Sequence, residues 1–338
     1  MKKEDSVNII SSRIRLARNF EGLPFASLMT KEQKNNLKKE IHDAVKKDNK
    51  FNLDFIDMEQ VTDIQAGSMV EDHLISLEFA NKREGSALLL NKYKSNSKTI
   101  ISVMLNEEDH LRIQVLSSEL ELKELSEIAS QIDDYFDNIK PYAYSENLGY
   151  LTCCPTNLGI GMRASVMLHL PALTESGYIE KFVAAVSGIG LTFRGLYGEG
   201  TKPAGCIYQL SNQISLGITE EEAIERLNDI VVKLIENEKI VSDKLMENIT
   251  IKDRLYRSYG VLKEARILSS QEFLTLMSDL RWAACVGLIS FNIKTIDRLF
   301  PSVQPYNLIL AGNESTDAMQ RDINRAVIVR DSINNKNK

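Results

Sequence analysis

The 338-residue chain lacks several features that would identify its class at once. No apolar run approaches the roughly 20 residues of a membrane-spanning helix, and the first residues include no apolar secretory segment. The four cysteines form no CxxC pair and the four histidines are scattered, which argues against a zinc site or a disulfide framework. A formal net charge of only −6 argues against generic nucleic-acid binding. We therefore expect a cytoplasmic protein without a metal site of its own, a membrane contact or a direct nucleic-acid partner.

The common nucleotide-binding loops are missing as well. The segment GLYGEGTK at 195–202 has Thr201 where a phosphate-binding loop of the GxxxxGK[ST] type needs lysine. The segments GIGMRA at 159–164 and GIGLTF at 188–193 lack the third glycine of a dinucleotide fingerprint. The HRD and DFG motifs of common protein kinases are absent too. If this chain binds a nucleotide, it must hold the phosphates in another way.

The pattern of the chain predicts an α+β protein in two parts. Hydrophobic content of 43% and charged content of 26% are typical of globular proteins, and the length suits two domains. Alternation predicts strands at 6–18, 87–91, 99–105, 110–116, 149–154, 190–195 and 205–213. Helical periodicity predicts helices at 30–48, 119–138, 161–173 and 178–190, and helices dominate after Thr219. We place a catalytic domain at 1–245 and an all-helical domain at 246–338.

Arginines in apolar or glycine-rich segments are the most informative residues. They are Arg13, Arg15, Arg112, Arg163 and Arg194. Two of them, Arg13 and Arg15, project from the same face of a predicted strand, about 7 Å apart. Several guanidinium groups converging from different strands can neutralise a triphosphate, because each offers a planar fork of donors. The alternative is that each arginine pairs with a carboxylate at a sheet edge.

Carboxylates and one thiol accompany these arginines. Glu107 and Glu108 belong to the segment NEEDHLR, and Glu199 stands between two glycines that leave its side chain unobstructed. Cys154 precedes a proline at a predicted strand end, where a helix start and nearby arginines can lower the pKa of a thiol. Taken singly, the GEG segment can be a simple turn and Cys154 a buried core thiol.

Four ordered motifs together resemble one known family. SSRIRLAR, NEEDHLRI, YLTCCPTNLGIGMRASV and RGLYGEG resemble the phosphagen (guanidino) kinases, and in detail their bacterial relatives, the protein-arginine kinases of the McsB type. The resemblance continues through YQLSNQISLGITEEE and SYGVLKEARILSSQE to the last helix. It implies a large antiparallel β-sheet flanked by helices, followed by an all-helical C-terminal domain. It also implies ATP as phosphoryl donor, with Mg²⁺ held mainly through the nucleotide phosphates.

The resemblance assigns roles by matching position. Glu108 and Glu199 are similar to the carboxylates that bind the acceptor guanidinium, and Cys154 to the active-site cysteine beside it. The implied ATP-binding residues comprise the five arginines and their neighbours, namely Ser11, Ser12, Arg13, Ile14, Arg15, His73, Arg112, Arg163, Ala164, Ser165, Val166, Met167, Arg194, Gly195, Leu196, Tyr197 and Gly198.

The segment RDINRA at 321–326 fits the RDxxRA motif by which McsB-type kinases bind phosphoarginine at a regulatory site. Arg321 and Arg325 would lie one turn apart and hold the phosphate, with Asp322 on the guanidinium and Ala326 completing the motif. The alternative is a surface network in which Asp317 lies against Arg321.

The implied function is ATP-dependent phosphorylation of protein arginines, which marks proteins for regulation or Clp-protease degradation. Only ten residues precede the first motif, from which we expect an open acceptor site, and the 139 residues after Glu199 are enough for an additional domain. An open site with an added domain favours arginine presented on a protein. The implied partners are a heat-shock repressor and damaged proteins as substrates, a zinc-binding activator protein, the Clp system, and further copies of the chain in a homodimer or larger oligomer. A kinase of free arginine or another small guanidine, and a non-catalytic phosphoarginine-binding adaptor, remain alternatives.

Overall fold

A computed structural model describes residues 7–91, 98–195, 204–312 and 317–334. Its strands are β1 Ile9–Arg18, β2 Asp54–Asp57, β3 Ala87–Leu90, β4 Thr99–Leu105, β5 Leu111–Ser117, β6 Tyr144–Ser145, β7 Gly149–Tyr150, β8 Met162–His169, β9 Leu191–Gly195 and β10 Ile207–Asn212. Its α-helices up to residue 245 are α1 Lys31–Lys47, α2 Asp63–Glu71, α3 Leu77–Asn81, α4 Leu122–Ile139, α5 Pro171–Glu175, α6 Tyr178–Ser187 and α7 Glu220–Leu245. Those after residue 245 are α8 Ile249–Glu264, α9 Ser270–Cys285, α10 Ile293–Ser302, α11 Pro305–Leu310 and α12 Ala318–Asn334. Single 3₁₀ turns lie at 26–28, 58–60, 155–157 and 204–206.

One eight-stranded antiparallel sheet organises the first 245 residues, in the order β2-β3-β4-β5-β1-β8-β10-β9. This sheet with its flanking helices confirms the predicted fold class. β1 lies near the middle of the sheet, and its residues Ile14 and Leu16 are apolar and buried. That face packs with β5 and β8 into a core that α1, α4 and α7 cover. The opposite face of β1 carries the arginines.

The prediction of a helix over residues 161–173 is wrong for most of this segment. Residues Met162–His169 form β8, which pairs with β1 on one side and β10 on the other. Alternation is present in this segment, since Arg163 and Ser165 face the arginine side and Ala164 and Val166 face the core. Pairing with two distant strands outweighs the helix propensity of the methionine, alanine and leucine residues here. The predicted strand at 149–154 is likewise reduced to β7.

Arg18 fixes the end of β1 to the layer of helices. Its buried guanidinium donates to Asp133 of α4 at 2.8 Å and lies 3.5 Å from the centre of the Tyr150 ring. Gly161 passes close to this group with a φ of 61°, and a Cβ there would lie 2.4 Å from the Arg18 Nη1 atom. The turn before β8 therefore requires glycine, which sets where β8 begins beside β1.

The helices after α7 form a second core around α9. Phe273, Met277 and Leu280 are buried there, and Trp282 donates from its indole nitrogen to Ser242 of α7 at 2.7 Å. In the part of the chain that the structure describes, no helix is long and apolar enough to cross a bilayer.

Candidate functional site

The five predicted arginines lie on one face of the sheet. Arg15 stands directly opposite Arg163 of β8, and Arg13 opposite Ser165. Arg112 is two residues from Gln114 on β5, and Gln114 stands opposite Arg15. On the other side Arg194 of β9 faces Gln209 of β10. Opposed residues in antiparallel strands point to the same face, so strand pairing alone brings these side chains together.

Neutral acceptors, rather than carboxylates, hold two of these arginines, Arg13 and Arg163. Arg13 donates to Gln114 at 3.3 Å and to Gln209 at 3.1 Å, while Arg163 donates to the Ser211 hydroxyl at 3.0 Å. Within the described ranges, Arg112 alone among the five has a carboxylate partner, Glu107 at 2.8 Å. The edge-pairing alternative therefore applies to one of the five. Gln114, Gln209 and Ser211 were not predicted as site residues. The spacing of Gln114 two residues from Arg112 signals the shared face, whereas β10 contains no arginine that would mark Gln209 and Ser211.

The cluster carries unneutralised positive charge. Burial, followed by the charges of Arg112 and Arg163, lowers the pKa of Arg13 to about 10. The pKa of Arg15 is lowered well below its ordinary value, again by burial first and then by Arg13. The buried Nε atom of Arg15 has no hydrogen-bond partner among the described residues. Repulsion and an unused donor of this kind indicate a site built for an anion that arrives from outside.

The predicted ATP-binding stretches contribute alternate side chains only. Ser11, Ser165 and Met167 line a cleft beside Arg13, together with His73. Four other predicted residues, Ser12, Ile14, Ala164 and Val166, are buried on the opposite face of the sheet. Ser12 there accepts the Glu121 amide and donates to the Glu119 carbonyl, which fixes β1 to the start of α4. Their side chains are not part of the cleft, because successive residues of a strand point to opposite faces.

His73 lies in the cleft in an unusual backbone conformation. Its φ is 58°, and its carbonyl accepts a hydrogen bond from Gln114 at 2.9 Å. Burial, and then the charge of Arg13, lowers the pKa of His73 to about 4. The imidazole is therefore neutral at physiological pH and can offer both a donor and an acceptor to a ligand.

Each residue of the NEED segment has a separate position between β4 and β5. Asn106 turns the chain with a φ of 61° and donates to the Gly85 carbonyl at 2.8 Å. Glu107 is held by Arg112 and accepts from the Ser76 hydroxyl. Asp109 accepts the Cys153 amide at 2.7 Å and the Asn19 side chain at 2.6 Å. Glu108 remains, half-buried and facing a second cleft.

This second cleft unites the predicted acceptor residues. It measures about 160 Å³ and is lined by Glu108, Cys154, Arg15, Arg112 and Arg163, among others. Burial, and then the neighbouring charges of Asp109 and Glu107, raises the pKa of Glu108. Cys154 is half-buried with its sulfur 3.0 Å from the Thr156 hydroxyl, so it is not a core thiol. Because Asp109 accepts the Cys153 amide, the neighbouring residues Glu108 and Cys154 are held close together.

Several predicted residues lie at the end of β9 or in the following segment, 196–203, which is outside the described residues. Arg194 is exposed on β9, and Gly195 ends that strand. The predictions for Leu196, Tyr197, Gly198 and Glu199 lie outside the described residues. The assignment of Glu199 to the guanidinium stays a prediction, as does that of Glu108.

The RDINRA motif lies on α12, and the structure places its two arginines differently from each other. Arg325 is 1% exposed and donates to the Val303 and Leu268 carbonyls at 3.0 and 2.7 Å, and also to Asp322. Ala326 is buried as well. Arg325 therefore uses donors within the helical core, whereas Arg321 is half-buried, and the predicted phosphate contact of the two arginines stays a prediction.

No group of three or more histidine, cysteine, aspartate or glutamate side chains suitable for a metal ion occurs among the described residues. Mg²⁺ fits this cleft only together with substrate phosphates, whose oxygens supply the ligands that the described side chains do not.

Comparison with known proteins gives consistent matches. The family model for the ATP:guanido phosphotransferase C-terminal catalytic domain matches residues 33–241, and that for the protein-arginine kinase McsB C-terminal domain matches 248–338. The protein-arginine kinase of Caldanaerobacter subterraneus subsp. tengcongensis is 39% identical, over 99% of this chain and 100% of that protein. The protein-arginine kinase of Clostridium acetobutylicum is 38% identical, over 98% and 97%.

Solved structures agree on the fold. The duplicated taurocyamine kinase from Schistosoma mansoni, with bound transition-state analogue components, has a TM-score of 0.62 at 24% identity. The match covers 79% of this chain and 38% of that one. A lombricine kinase has a TM-score of 0.60 at 25% identity, over 70% of this chain and 68% of that one.

Proposed function

Because the chain belongs to the ATP:guanido phosphotransferase family and carries an McsB C-terminal domain, we propose that it transfers the γ-phosphoryl group of ATP to arginine side chains of proteins. The observation that carries this proposal is the arginine face of the sheet, which separates two clefts. The larger cleft, of about 490 Å³, adjoins Arg13 and His73. The smaller one holds Glu108 and Cys154 beside Arg15.

ATP fits this arrangement in one direction. Its nucleoside end enters the larger cleft, its phosphates lie over Arg13, Arg15, Arg112 and Arg163, and the γ-phosphoryl group points into the smaller cleft. The substrate guanidinium enters the smaller cleft from the protein surface. Mg²⁺ bound to the phosphates would offset further negative charge, with the nucleotide supplying most of its ligands.

The smaller cleft supplies what the transfer needs. A guanidinium is a poor nucleophile, so its nitrogen must be aligned with the γ-phosphorus and must lose a proton as the N–P bond forms. The Glu108 carboxylate accepts that proton, the bond between the γ-phosphorus and the β–γ bridging oxygen breaks, and ADP leaves. The Cys154 sulfur lies beside the guanidinium in the same cleft, and the arginines stabilise the transferred group. Glu199 would hold the other side of the guanidinium.

The change Glu108→Gln tests this assignment. We expect kcat for ADP formation with a protein substrate to fall by at least about 100-fold, since the proton acceptor is lost. The Kd of ATP should change little, because the arginines are intact. Glu84→Gln is the matched control, as Glu84 is 67% exposed and pairs with Lys31. An unchanged kcat in Glu108→Gln would contradict the proposed role.

We further propose that α12 binds phosphoarginine as a regulatory ligand. The motif at 321–326 and the McsB domain match support this. In the arrangement of α12, Arg321 would contact the phosphate and Asp322 the guanidinium, while Arg325 holds the Asp322 carboxylate in place. Arg325 is then a positioning residue rather than a phosphate ligand.

The wider biological setting is also a proposal, supported by the family resemblance. The proposed substrates are a heat-shock repressor and damaged proteins, which the mark would deliver to the Clp system. The proposed partners are a zinc-binding activator protein and further copies of the chain in a homodimer or larger oligomer. We place the protein in the cytoplasm, where ATP is available and where its four free cysteines would stay reduced. The two-domain division at residue 245 belongs to the same proposal.

A further inference from the structure

The larger cleft is lined by both parts of the chain. Its floor comes from the sheet, through Arg13 of β1 and Ser165 of β8. One wall comes from α10 of the helical part, through Asp297, Phe300 and Pro301. Helix α10 begins at residue 293, far from β1 in the chain, and it borders the cleft in which the proposed ATP site needs a nucleoside pocket.

An ion pair between a buried arginine and a half-buried aspartate fixes α10 to the sheet. Arg281 of α9 is completely buried and donates to Asp297 at 2.8 Å. The same guanidinium reaches the Ile9 carbonyl of β1 and the His169 ring of β8, both at 3.3 Å. Asp297 therefore has a set position relative to the two strands that carry the arginines.

A second contact fixes the other end of this wall. The Glu71 carboxylate at the end of α2 accepts the backbone amides of Tyr306 and Asn307 at 2.9 and 2.8 Å, at the start of α11. Asn307 also donates to Asp72 at 3.0 Å and to the Pro301 carbonyl at 2.9 Å. These contacts lie within two residues of His73, so α10 and the His73 loop are held together across the cleft.

Charge orients a nucleotide in this cleft. Arg13 stands on the sheet side, whereas Asp297, Glu71 and Asp72 stand on the side of α10 and α2. A triphosphate is attracted to the arginine face and repelled by Glu71 and Asp72, whereas Arg281 offsets the charge of Asp297. The nucleoside is neutral and offers hydrogen-bond donors, and its flat base is the part that fits against a phenylalanine and a proline beside a carboxylate.

We infer that α10 is a nucleoside-binding wall of the kinase, with Phe300 and Pro301 packing against the base and Asp297 accepting a hydrogen bond from a nucleoside donor. This inference rests on the proposed function, because it takes the arginine face as the triphosphate site. It makes the helical domain part of ATP binding itself.

Paired binding titrations test the wall separately from the arginine face. ATP and inorganic triphosphate are titrated against the full chain and the variants Asp297→Asn and Phe300→Leu, which keep the size and packing of each side chain close to the original. We expect ATP affinity to fall about tenfold in Asp297→Asn, because a neutral amide oxygen accepts a hydrogen bond more weakly than a carboxylate does, with triphosphate affinity unchanged. Arg298→Ala is the control, since Arg298 is exposed on the same helix.

The outcomes separate the two proposals. Loss of ATP affinity with triphosphate binding intact supports the wall, and unchanged ATP affinity in both variants overturns it. If the unaltered chain binds neither ATP nor triphosphate, the proposed function itself fails. If a variant loses both ligands equally, photolabelling of the unaltered chain with 8-azido-ATP decides. Label on residues 293–302 supports the wall, and label confined to other segments overturns it.

Discussion

At the scale of single residues, the arginine face lowers the stability of the folded chain and favours the binding of a polyanion. The pKa values of Arg13 and Arg15 are lowered, first by burial and then by repulsion from neighbouring arginines, so the folded chain disfavours both charges. A buried Nε without a described partner adds an unmade hydrogen bond. A polyanion offsets the repulsion and can accept the missing hydrogen bond. Part of the free energy of ATP binding therefore comes from relieving these unfavourable interactions.

The change Arg15→Met should reveal how much the Arg15 charge destabilises the folded chain. Without nucleotide, we expect the free energy of unfolding to rise by about 1–3 kcal/mol, because an apolar side chain of similar length replaces a repelled charge. ATP turnover should be lost. Chemical denaturation and ADP release measure the two effects, with Arg257→Met, an exposed arginine, as control. A lower free energy of unfolding in Arg15→Met would show that Arg15 is structural.

The raised pKa of Glu108 predicts the acidic limb of the pH–rate profile. Glu108 must be ionised to accept a proton, so kcat should fall as pH decreases through its pKa. Burial is the first cause of the raised pKa and the Asp109 charge the second. Asp109→Asn removes that charge while leaving an oxygen acceptor for the Cys153 amide. The limb should therefore shift to lower pH, and a shift to higher pH would contradict the assignment.

At the scale of elements, α12 combines a binding surface with an internal anchor. Arg325 ties this helix to the carbonyls of Val303 and Leu268, whereas Arg321 is half-buried at its first turns. The two arginines of one motif therefore have different physical roles.

Single substitutions in α12 should separate these roles. Arg325→Ala should lower the free energy of unfolding by about 2–5 kcal/mol, because it leaves buried carbonyls unpaired. Arg321→Ala should change it by less than about 0.5 kcal/mol and yet remove the response of kinase activity to added phosphoarginine. Equal destabilisation by both changes, in chemical denaturation, would refute the distinction.

Helix α7 carries a carboxylate that makes the domain sensitive to pH. Glu238 is 2% exposed and accepts the Ala172 and Leu173 amides at the start of α5. Burial raises its pKa to about 7, despite these hydrogen bonds. Its protonated form is therefore favoured in the folded state, and the stability it contributes is complete below the ordinary pKa and lost as pH rises through about 7.

The difference between the chain and its Glu238→Gln variant isolates this effect. The free energy of unfolding of the unaltered chain, relative to the variant, should decrease as pH rises from about 4.5 to 7. Taking the difference removes the contributions of other groups, such as His169, whose pKa burial lowers. Denaturation at several pH values measures the slope, and a flat or rising difference would show that Glu238 is ionised throughout.

At the scale of the whole molecule, the family, the fold class and the arginine face were predictable from sequence. Arginines at 13 and 15 share a strand face by alternation alone, and ordered motifs identify the family. Strand β8 was missed, because its identity depends on pairing with residues 9–16 and 207–211, which no local window contains.

Long-range contacts were equally invisible in the sequence. The burial of Arg325, the ion pair of Arg281 with Asp297, and the Glu71 contact with α11 each join elements far apart in the chain. Nothing in the local sequence marks these side chains as buried rather than exposed. The wall that α10 adds to the larger cleft belongs to the same class of feature.

Mass spectrometry under non-acidic conditions tests the central claim most directly, because the N–P bond of phosphoarginine is labile in acid. The purified chain is incubated with Mg-ATP, a mixed protein substrate and free arginine in one reaction, with Glu108→Gln in parallel. We predict phosphorylation of protein arginines, little free phosphoarginine, and neither product in the variant. Free phosphoarginine as the main product, or protein phosphorylation that persists in Glu108→Gln, would contradict the account.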